Sequence, residues 1–318
     1  MITAPMKTVL ALDIGGTKTT AALVDLGAGA ARVRRHLTGP TPAAAGPDAV
    51  LDHAISLARE VRGEESVVAL GVASAGVVTA AGTISHATSA LPGWAGTDLV
   101  GTFAQRLDLP VAALNDVHGH AVGEARYGAG RGAHSILLVA IGTGIGAAHV
   151  IGGQPVVGVR GAAGHVGHLP VPEAQDIPCP CGRSGHLEGL ASGPGILALA
   201  ARFGVRDDAG PVTDGVRLAA LARERSTAAA EAYRVAGFAT GRTIGGALNL
   251  LDVERVILTG GVAAVGEPWR GAVLQGIEHE AMDVVSQTEV TTATAGTHAA
   301  LLGAAAWAVD LIEERGAQ

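Results

Sequence analysis

Cysteine is scarce in this chain: two among 318 residues, Cys179 and Cys181, with a single proline between them. That spacing excludes a disulfide framework, and a reducing compartment would keep both as thiols or thiolates. No run of about 18 consecutive apolar residues occurs, which is what a membrane-spanning helix needs. Charged residues make up only 16% of the chain and the formal net charge is −7, so the clustered Lys and Arg of a nucleic-acid surface are not expected. The opening MITAPMKTVLALDIGG reads as a short tail running into a strand, without the charged, apolar and cleavage regions of a signal peptide. A cytoplasmic protein is the expectation. The GxxxxGK[ST] pattern of a Walker A loop is also missing.

What is present is apolar and glycine-rich. Hydrophobic residues reach 48%, which argues against disorder, and 318 residues can bury a large core and form two lobes. Thr8 to Ile14 predicts a buried strand and Thr19 to Leu26 a second, joined by Gly15-Gly16-Thr17-Lys18. A Gly pair is an ordinary hairpin solution. It also lets backbone N–H groups approach an anion, and Asp13 at the strand end stands where a Mg²⁺ shell would be held. The design recurs at 135–151, where Gly142-Thr143-Gly144-Ile145-Gly146 separates two predicted strands, so each half of the chain opens on a strand, a Gly/Thr turn and a strand. Two such units facing one another are more specific than either alone.

Between them, a third strand over 30–37 leads to an exposed Pro-rich loop, and the spacing predicts a helix from Pro47 to about Val61 with Val50, Leu51, Ala54, Ile55, Ala58 and Val61 on one face. A strand over 67–73 ends in Ser74-Ala75-Gly76, small enough for a ligand to lie against the main chain. Trp94, in Leu91-Pro92-Gly93-Trp94, reads as a core or lid-packing ring before a ligand contact. After a helix over 97–107, a strand over 111–114 ends in Asn115-Asp116, at the carboxyl end of a strand, where open α/β sheets bind ligands. Asp116 also suits the cap of the following helix, to about Tyr127, and the two roles are compatible.

Residues 158–188 hold both cysteines, and His168, Cys179, Cys181 and His186 have the ligand types of a tetrahedral zinc site. Ten residues separate His168 from Cys179, so ligand type argues more than spacing; the alternative is a polar loop with incidental cysteines. Pro178, Pro180, Gly182 and Gly185 supply the turns that would aim four ligands inward. Further helices are predicted at 192–203, 214–223 and 227–251, then a strand over 255–258 ending in Thr259-Gly260-Gly261, which suits either contact with a nucleoside or ordinary strand-to-helix turning. The last helix, from Ala299 to about Glu314, reads as amphipathic.

Taken in order, Asp13-Ile-Gly-Gly-Thr-Lys18, Asn115-Asp116, Gly142-Thr-Gly-Ile-Gly146, Gly164-His-Val-Gly-His168, Cys179-Pro-Cys-Gly182, Leu187-Glu188 and Thr259-Gly-Gly261 resemble the ROK family of bacterial sugar kinases over almost the whole chain. The resemblance implies an α/β fold of the actin-like ATPase (ribonuclease H-like) class, with two lobes, 1–116 plus 296–318 and 117–295, around a central cleft, and a homodimer. It implies ATP, Mg²⁺ and a structural Zn²⁺ as cofactors, and a sugar as partner. Asp13, Gly15, Gly16, Thr17 and Lys18 would lie near Mg²⁺ and the transferred phosphate. Gly142, Thr143 and Gly144 would hold the ATP phosphates, and Gly260 and Gly261 would border the adenosine. Gly76, Asn115, Asp116, His165, His168 and Glu188 would bind sugar, with Asp116 as catalytic base, while His168, Cys179, Cys181 and His186 would ligate zinc.

Two departures matter. His165 stands where the family usually has Glu, and His186 where it usually has a third Cys, a mild change that leaves a Cys₂His₂ set. A neutral His can donate to an amide carbonyl, which Glu cannot, and Gly-His-x-Gly-His is associated with the family's N-acetylmannosamine kinases. Glucose and other hexoses are the alternatives. ROK repressors are another reading, disfavoured because they carry a helix-turn-helix of several dozen residues and only twelve precede Asp13 here; a catalytically dead sugar-binding protein is disfavoured by Asp13, Asp116 and both Gly turns.

Overall fold

The computed structural model describes residues 6–224 and 226–316. Residues 1–5, read as a tail, and 317–318, assigned to the end of the first lobe, lie outside the described residues. The first half opens on β1 (Lys7–Ile14), β2 (Lys18–Gly27) and β3 (Ala30–Pro40), an antiparallel run. There follow α1 (Pro47–Arg62), β4 (Leu70–Ser74), a small hairpin of β5 (Val77–Val78) and β6 (Ile84–His86), α2 (Leu99–Leu107), β7 (Val111–Asn115) and α3 (Asp116–Tyr127). The sheet order is β3-β2-β1-β4-β7, with β4 parallel to both β1 and β7. β1 and β4 are apolar runs because both faces of the sheet are covered. β3, at the edge, alternates and carries Arg32, Arg34 and Arg35, charges that discourage pairing with another chain.

The second half repeats that order. β8 (Ser135–Ile141), β9 (Ile145–Ile151) and β10 (Gln154–Pro155) are followed by α4 (Leu187–Ala191), α5 (Gly193–Arg202), the β11 (Arg206–Asp207) and β12 (Gly210–Pro211) hairpin, α6 (Gly215–Arg223) and α7 (Thr227–Leu251). Then come β13 (Arg255–Thr259), α8 (Trp269–Glu280), α9 (Asp283–Ser286), β14 (Glu289–Thr292) and α10 (Ala299–Gly316). Its sheet runs β10-β9-β8-β13-β14, three sequential strands and then two that follow helices, the pattern of the first sheet.

The chain divides into two compact units, one built from Met1–Ile136, Ala148–Ala163 and Ala293–Gln318, the other from Leu137–Ala147 and Gly164–Thr292. The first keeps α3 and residues 128–136 and 148–163, beyond the expected limit at 116. The physical reason is α10: it packs along α3 so closely that a Cβ on Gly303 would stand 1.8 Å from the Gly119 carbonyl oxygen. Every residue from Ala299 to Ala306 is buried, so α10 is not amphipathic over this stretch as its sequence suggested; it is a core helix whose Ala and Gly permit the approach. Glu124, on α3 and fully buried, accepts from the backbone N–H of Ala129, Thr294 and Ala295, which ties the chain entering α10 to the end of α3.

On the other face of the first sheet, all six residues predicted for the apolar stripe of α1 are buried in one core with Phe103 and Trp94. Each large aliphatic side chain there contributes about 1.5–3 kcal/mol of transfer free energy. Pro47 starts α1, and Asp98 caps α2 by accepting from Gly101 N–H at 2.9 Å. The second unit has its own core, in which α7 meets α8 at a crossing where a Cβ on Gly241 would lie 2.1 Å from the Val273 carbonyl oxygen. α8 and β14 had no counterpart in the sequence reading. The buried face of α8 is Trp269, Ala272, Val273, Gly276 and Ile277, too small-residued to register as an apolar stripe. The strand expected over 67–73 is displaced to 70–74.

Candidate functional site

In the first unit the ends of β1, β4 and β7 lie side by side, because Ile14 pairs with Ser74 and Ser74 with Asn115. This register gathers Asp13, Gly76, Asn115 and Asp116. Asn115 has both its amide hydrogens engaged, one on the Gly76 carbonyl at 2.9 Å and one on Asp116 Oδ1 at 2.8 Å. Its side-chain oxygen accepts from the N–H groups of Val117 and His118, and Asp116 Oδ1 accepts from Val117 N–H at 2.9 Å. Asn115 is therefore the cap of α3, a role expected of Asp116, and Asp116 begins the helix in reach of the capping backbone. One amide thus fixes the strand end, the helix start and the carboxylate.

Gly76 has to be glycine: its φ is +103° and a Cβ would come within 2.7 Å of the His86 carbonyl oxygen. Its carbonyl can then face Asn115. Across the strand ends, burial and then repulsion from Asp116 push the Asp13 carboxyl up to about 6, against the attraction of Lys18. A proton on Asp13 or a nearby cation would relieve that repulsion.

The Gly15–Lys18 turn is closed by Gly15 N–H donating to the Lys18 carbonyl at 3.0 Å and braced by Thr41, whose hydroxyl donates to the Gly15 carbonyl at 2.7 Å. Thr17 and Lys18 are exposed at its tip. A Cβ on Gly16 would meet Ala90 at 2.8 Å, so this glycine serves packing as well as any ligand.

In the second unit the β8–β9 turn, Gly142 to Gly144, closes by Gly142 N–H donating to the Gly144 carbonyl at 2.9 Å. The turn is exposed at Thr143 and Gly144. Glu188, expected as a sugar contact, accepts from Ile145 N–H at 2.7 Å, which ties the start of α4 to the β8–β9 turn through one carboxylate oxygen. Gly193 N–H, at the start of α5, donates to the Gly142 carbonyl at 2.8 Å. At the end of β13, Gly260 has φ +95° and a Cβ would sit 2.2 Å from the Ile141 carbonyl oxygen, so close packing of β13 on β8 accounts for it; nothing crowds Gly261.

Also in this unit, His168, Cys179, Cys181 and His186 come together, their ligand atoms all within 4.8 Å of one another. Cys179 Sγ is 3.6 Å from His168 Nδ1 and Cys181 Sγ 3.3 Å from His186 Nδ1. Zn–S bonds near 2.3 Å and Zn–N bonds near 2.0 Å at a tetrahedral angle put sulfur and nitrogen about 3.5 Å apart, so the set fits zinc. The loops are pinned independently: Leu187 N–H donates to the Leu169 carbonyl, and Cys179 N–H to the Arg183 carbonyl at 2.7 Å. Burial raises the Cys179 thiol, and backbone hydrogen bonding at Arg183 lowers that of Cys181. His165 is exposed, its ring near-parallel to that of His168 with centroids 6.1 Å apart.

Sequence reasoning overlooked Glu124 and did not foresee that Glu188 and Gly260 serve the backbone as anchor and close contact. Glu188 and Gly260 stood in the recognised motifs, but these roles left no local pattern, since their main-chain partners at Ile145 and Ile141, like the Thr294 and Ala295 N–H groups held by Glu124, are distant in sequence.

Two five-stranded sheets of the same order, 3-2-1-4-5, each opening on a strand-turn-strand unit and with helices inserted after the third strand, define the actin-like ATPase fold. Residues 9–311 match the model of the ROK family, and the chain belongs to that family. It is 38% identical over 194 residues to an N-acetylmannosamine kinase of Escherichia coli O139:H28, a match covering 61% of this chain and 64% of the relative. The chain thus aligns with under two thirds of that relative's length. Among solved structures, a ROK hexokinase from Thermus thermophilus superposes with a TM-score of 0.83 at 28% identity, covering 96% of this chain and 99% of that one. A ROK family glucokinase from Streptomyces griseus, solved with glucose and AMPPNP, gives 0.77 at 27% identity, covering 95% and 99%. No helix among the described residues is long and apolar enough to cross a membrane.

Proposed function

We propose that the protein is an ATP-dependent kinase that phosphorylates the 6-hydroxyl of a hexose or N-acetylhexosamine, with N-acetylmannosamine as first substrate. The observation that carries this reading is the Asp13–Asp116 pair at the ends of β1 and β7, with the Asp116 carboxylate oriented by Asn115. Phosphoryl transfer asks little covalent chemistry of a protein beyond positioning, charge neutralisation and a carboxylate to accept the proton of the attacking hydroxyl. Asp116 takes that proton. Asp13, with Gly15, Gly16, Thr17 and Lys18, faces the transferred phosphate and Mg²⁺, which supplies positive charge when bound; an ionised Asp13 beside Asp116 is the group such a cation stabilises. Gly142, Thr143 and Gly144 offer an exposed, backbone-lined turn to the ATP phosphates, and Gly261 leaves uncrowded space for adenosine beside Gly260.

His165, His168 and Glu188 contribute the sugar wall in this reading, and Zn²⁺ held by His168, Cys179, Cys181 and His186 stabilises that loop. Four protein ligands leave no open position, so the metal is structural. The 38% identical N-acetylmannosamine kinase supports the first substrate. The Thermus hexokinase and Streptomyces glucokinase favour a second reading, glucose. A cytoplasmic homodimer with no nucleic-acid partner completes the proposal; light scattering on a sizing column tests the dimer. The deciding experiment is ADP release across N-acetylmannosamine, N-acetylglucosamine, glucose, mannose, fructose and allose. Glucose exceeding N-acetylmannosamine in kcat/KM would withdraw the first substrate, and response to none would withdraw the kinase. Asp116→Asn should keep the fold and lose activity by about 10²- to 10⁴-fold.

A further inference from the structure

Trp94 was expected to be packing, and it is almost wholly buried, at 1% exposure. Its indole N–H nevertheless has a definite partner: it donates to Ser74 Oγ at 3.1 Å, and Ser74 Oγ donates in turn to the Ala75 carbonyl at 3.0 Å. Ser74 is the last residue of β4, fully buried, paired with Ile14 on one side and Asn115 on the other. The segment it begins, Ala75-Gly76, ends on the carbonyl that receives Asn115 at 2.9 Å, and the second amide hydrogen of Asn115 holds Asp116 at 2.8 Å. A continuous path of short contacts therefore runs from a core tryptophan through Ser74 and the Ala75–Gly76 backbone to the carboxylate.

Among the described residues, the indole nitrogens of Trp269 and Trp307 are buried and meet no protein acceptor, whereas that of Trp94 does. At Trp94 the group is aimed at Ser74 Oγ, the hydroxyl at the end of β4, between β1 and β7. The consequence is mechanical. Gly76 lacks a Cβ and sits at positive φ, so its backbone has the widest freedom to reorient its carbonyl. Fixing the preceding peptide through Ser74 removes much of that freedom.

We propose that Trp94 and Ser74 are positioning residues: they fix the Ala75–Gly76 peptide so that Asn115 holds Asp116 in the orientation for proton acceptance. The catalytic part of this rests on the kinase reading above, so the test has one readout that needs turnover and one that does not. Trp94→Phe keeps an aromatic ring and removes the donor; Ser74→Ala removes one oxygen. The chain has only two asparagines, Asn115 and Asn249, so selective ¹⁵N-asparagine labelling gives two side-chain amide pairs, with Asn249, which donates to the Glu280 carbonyl, as internal control.

In each variant the Asn115 amide pair should shift and lose exchange protection while Asn249 stays in place. With the best sugar, each should lower kcat by about 10- to 100-fold with the sugar KM within about 2-fold. The double variant should be no worse than the poorer single one, because both act on one path. Unmoved Asn115 signals would overturn the proposal, as would a raised KM at unchanged kcat or losses that multiply. Should no sugar be turned over by the parent protein, the kinase reading fails by itself, and the Asn115 signals alone decide whether the path exists.

Discussion

Asp13 should destabilise the folded protein at neutral pH in the absence of a divalent cation, and Asp13→Asn should therefore stabilise it while abolishing activity. The carboxyl rises from 3.8 to about 6, chiefly through burial, then through repulsion from Asp116. The folded chain thus holds this proton more tightly than the unfolded chain does. Stability from the neutral form is complete below the unfolded value of 3.8, declines as pH rises, and is lost above about 6. A shift of about two units corresponds to roughly 3 kcal/mol at pH 7.5 and about half that at pH 5. Asparagine has no such dependence. Urea unfolding in EDTA, followed by far-UV circular dichroism across pH 5 to 7.5, should show the advantage of Asp13→Asn growing with pH. Saturating Mg²⁺ should narrow it by stabilising only the parent protein. In an Asp116→Asn background the advantage should shrink, because one cause of the shift is gone. A variant less stable than the parent at pH 7.5, or an advantage independent of pH, would refute the argument.

Purified without chelators, the protein should carry about one equivalent of zinc by plasma mass spectrometry; Cys181→Ser should carry less than half, and stripping the metal should expose 165–188 to proteolysis. Gly303→Val should cost more than about 3 kcal/mol or prevent soluble expression, since its Cβ would meet the Gly119 carbonyl at 1.8 Å; a midpoint within 2 °C of the parent would contradict the α3–α10 geometry. Replacing His165 by Glu should move the kcat/KM ratio of N-acetylmannosamine to glucose towards glucose by about 10-fold, and an unchanged ratio would remove His165 from substrate choice.

Much of the site was legible because its chemistry is local. Asp13 with its Gly turn, Asn115-Asp116 and the Cys-Pro-Cys pair are each a few consecutive residues, and a strand end or turn confines such residues to one place. The apolar stripe of α1 was legible for a similar reason: large side chains at helical spacing leave a periodic trace. α8 and the buried character of α10 left none, because helices that approach through Gly and Ala hide their contact faces among small residues. The domain limits were obscured by the same device, since the close crossing of α3 with α10 helps keep α3 in the first unit.

By itself the sequence determined the two strand-turn-strand repeats, the ligand types of the candidate metal set, and Asp13 and Asp116 each at a strand end, because each follows from residue type and short-range pattern; strand register brought the two carboxylates together. Tertiary structure alone decided that Asn115, not Asp116, caps α3, that Glu188 anchors the second turn, and that Trp94 reaches Ser74. The partners of Glu188 and Trp94 are distant in sequence and meet only through the packing of whole elements, which no short segment encodes; at Asn115 the cap partners are local, and the bond to the Gly76 carbonyl is the long-range contact that fixes the choice.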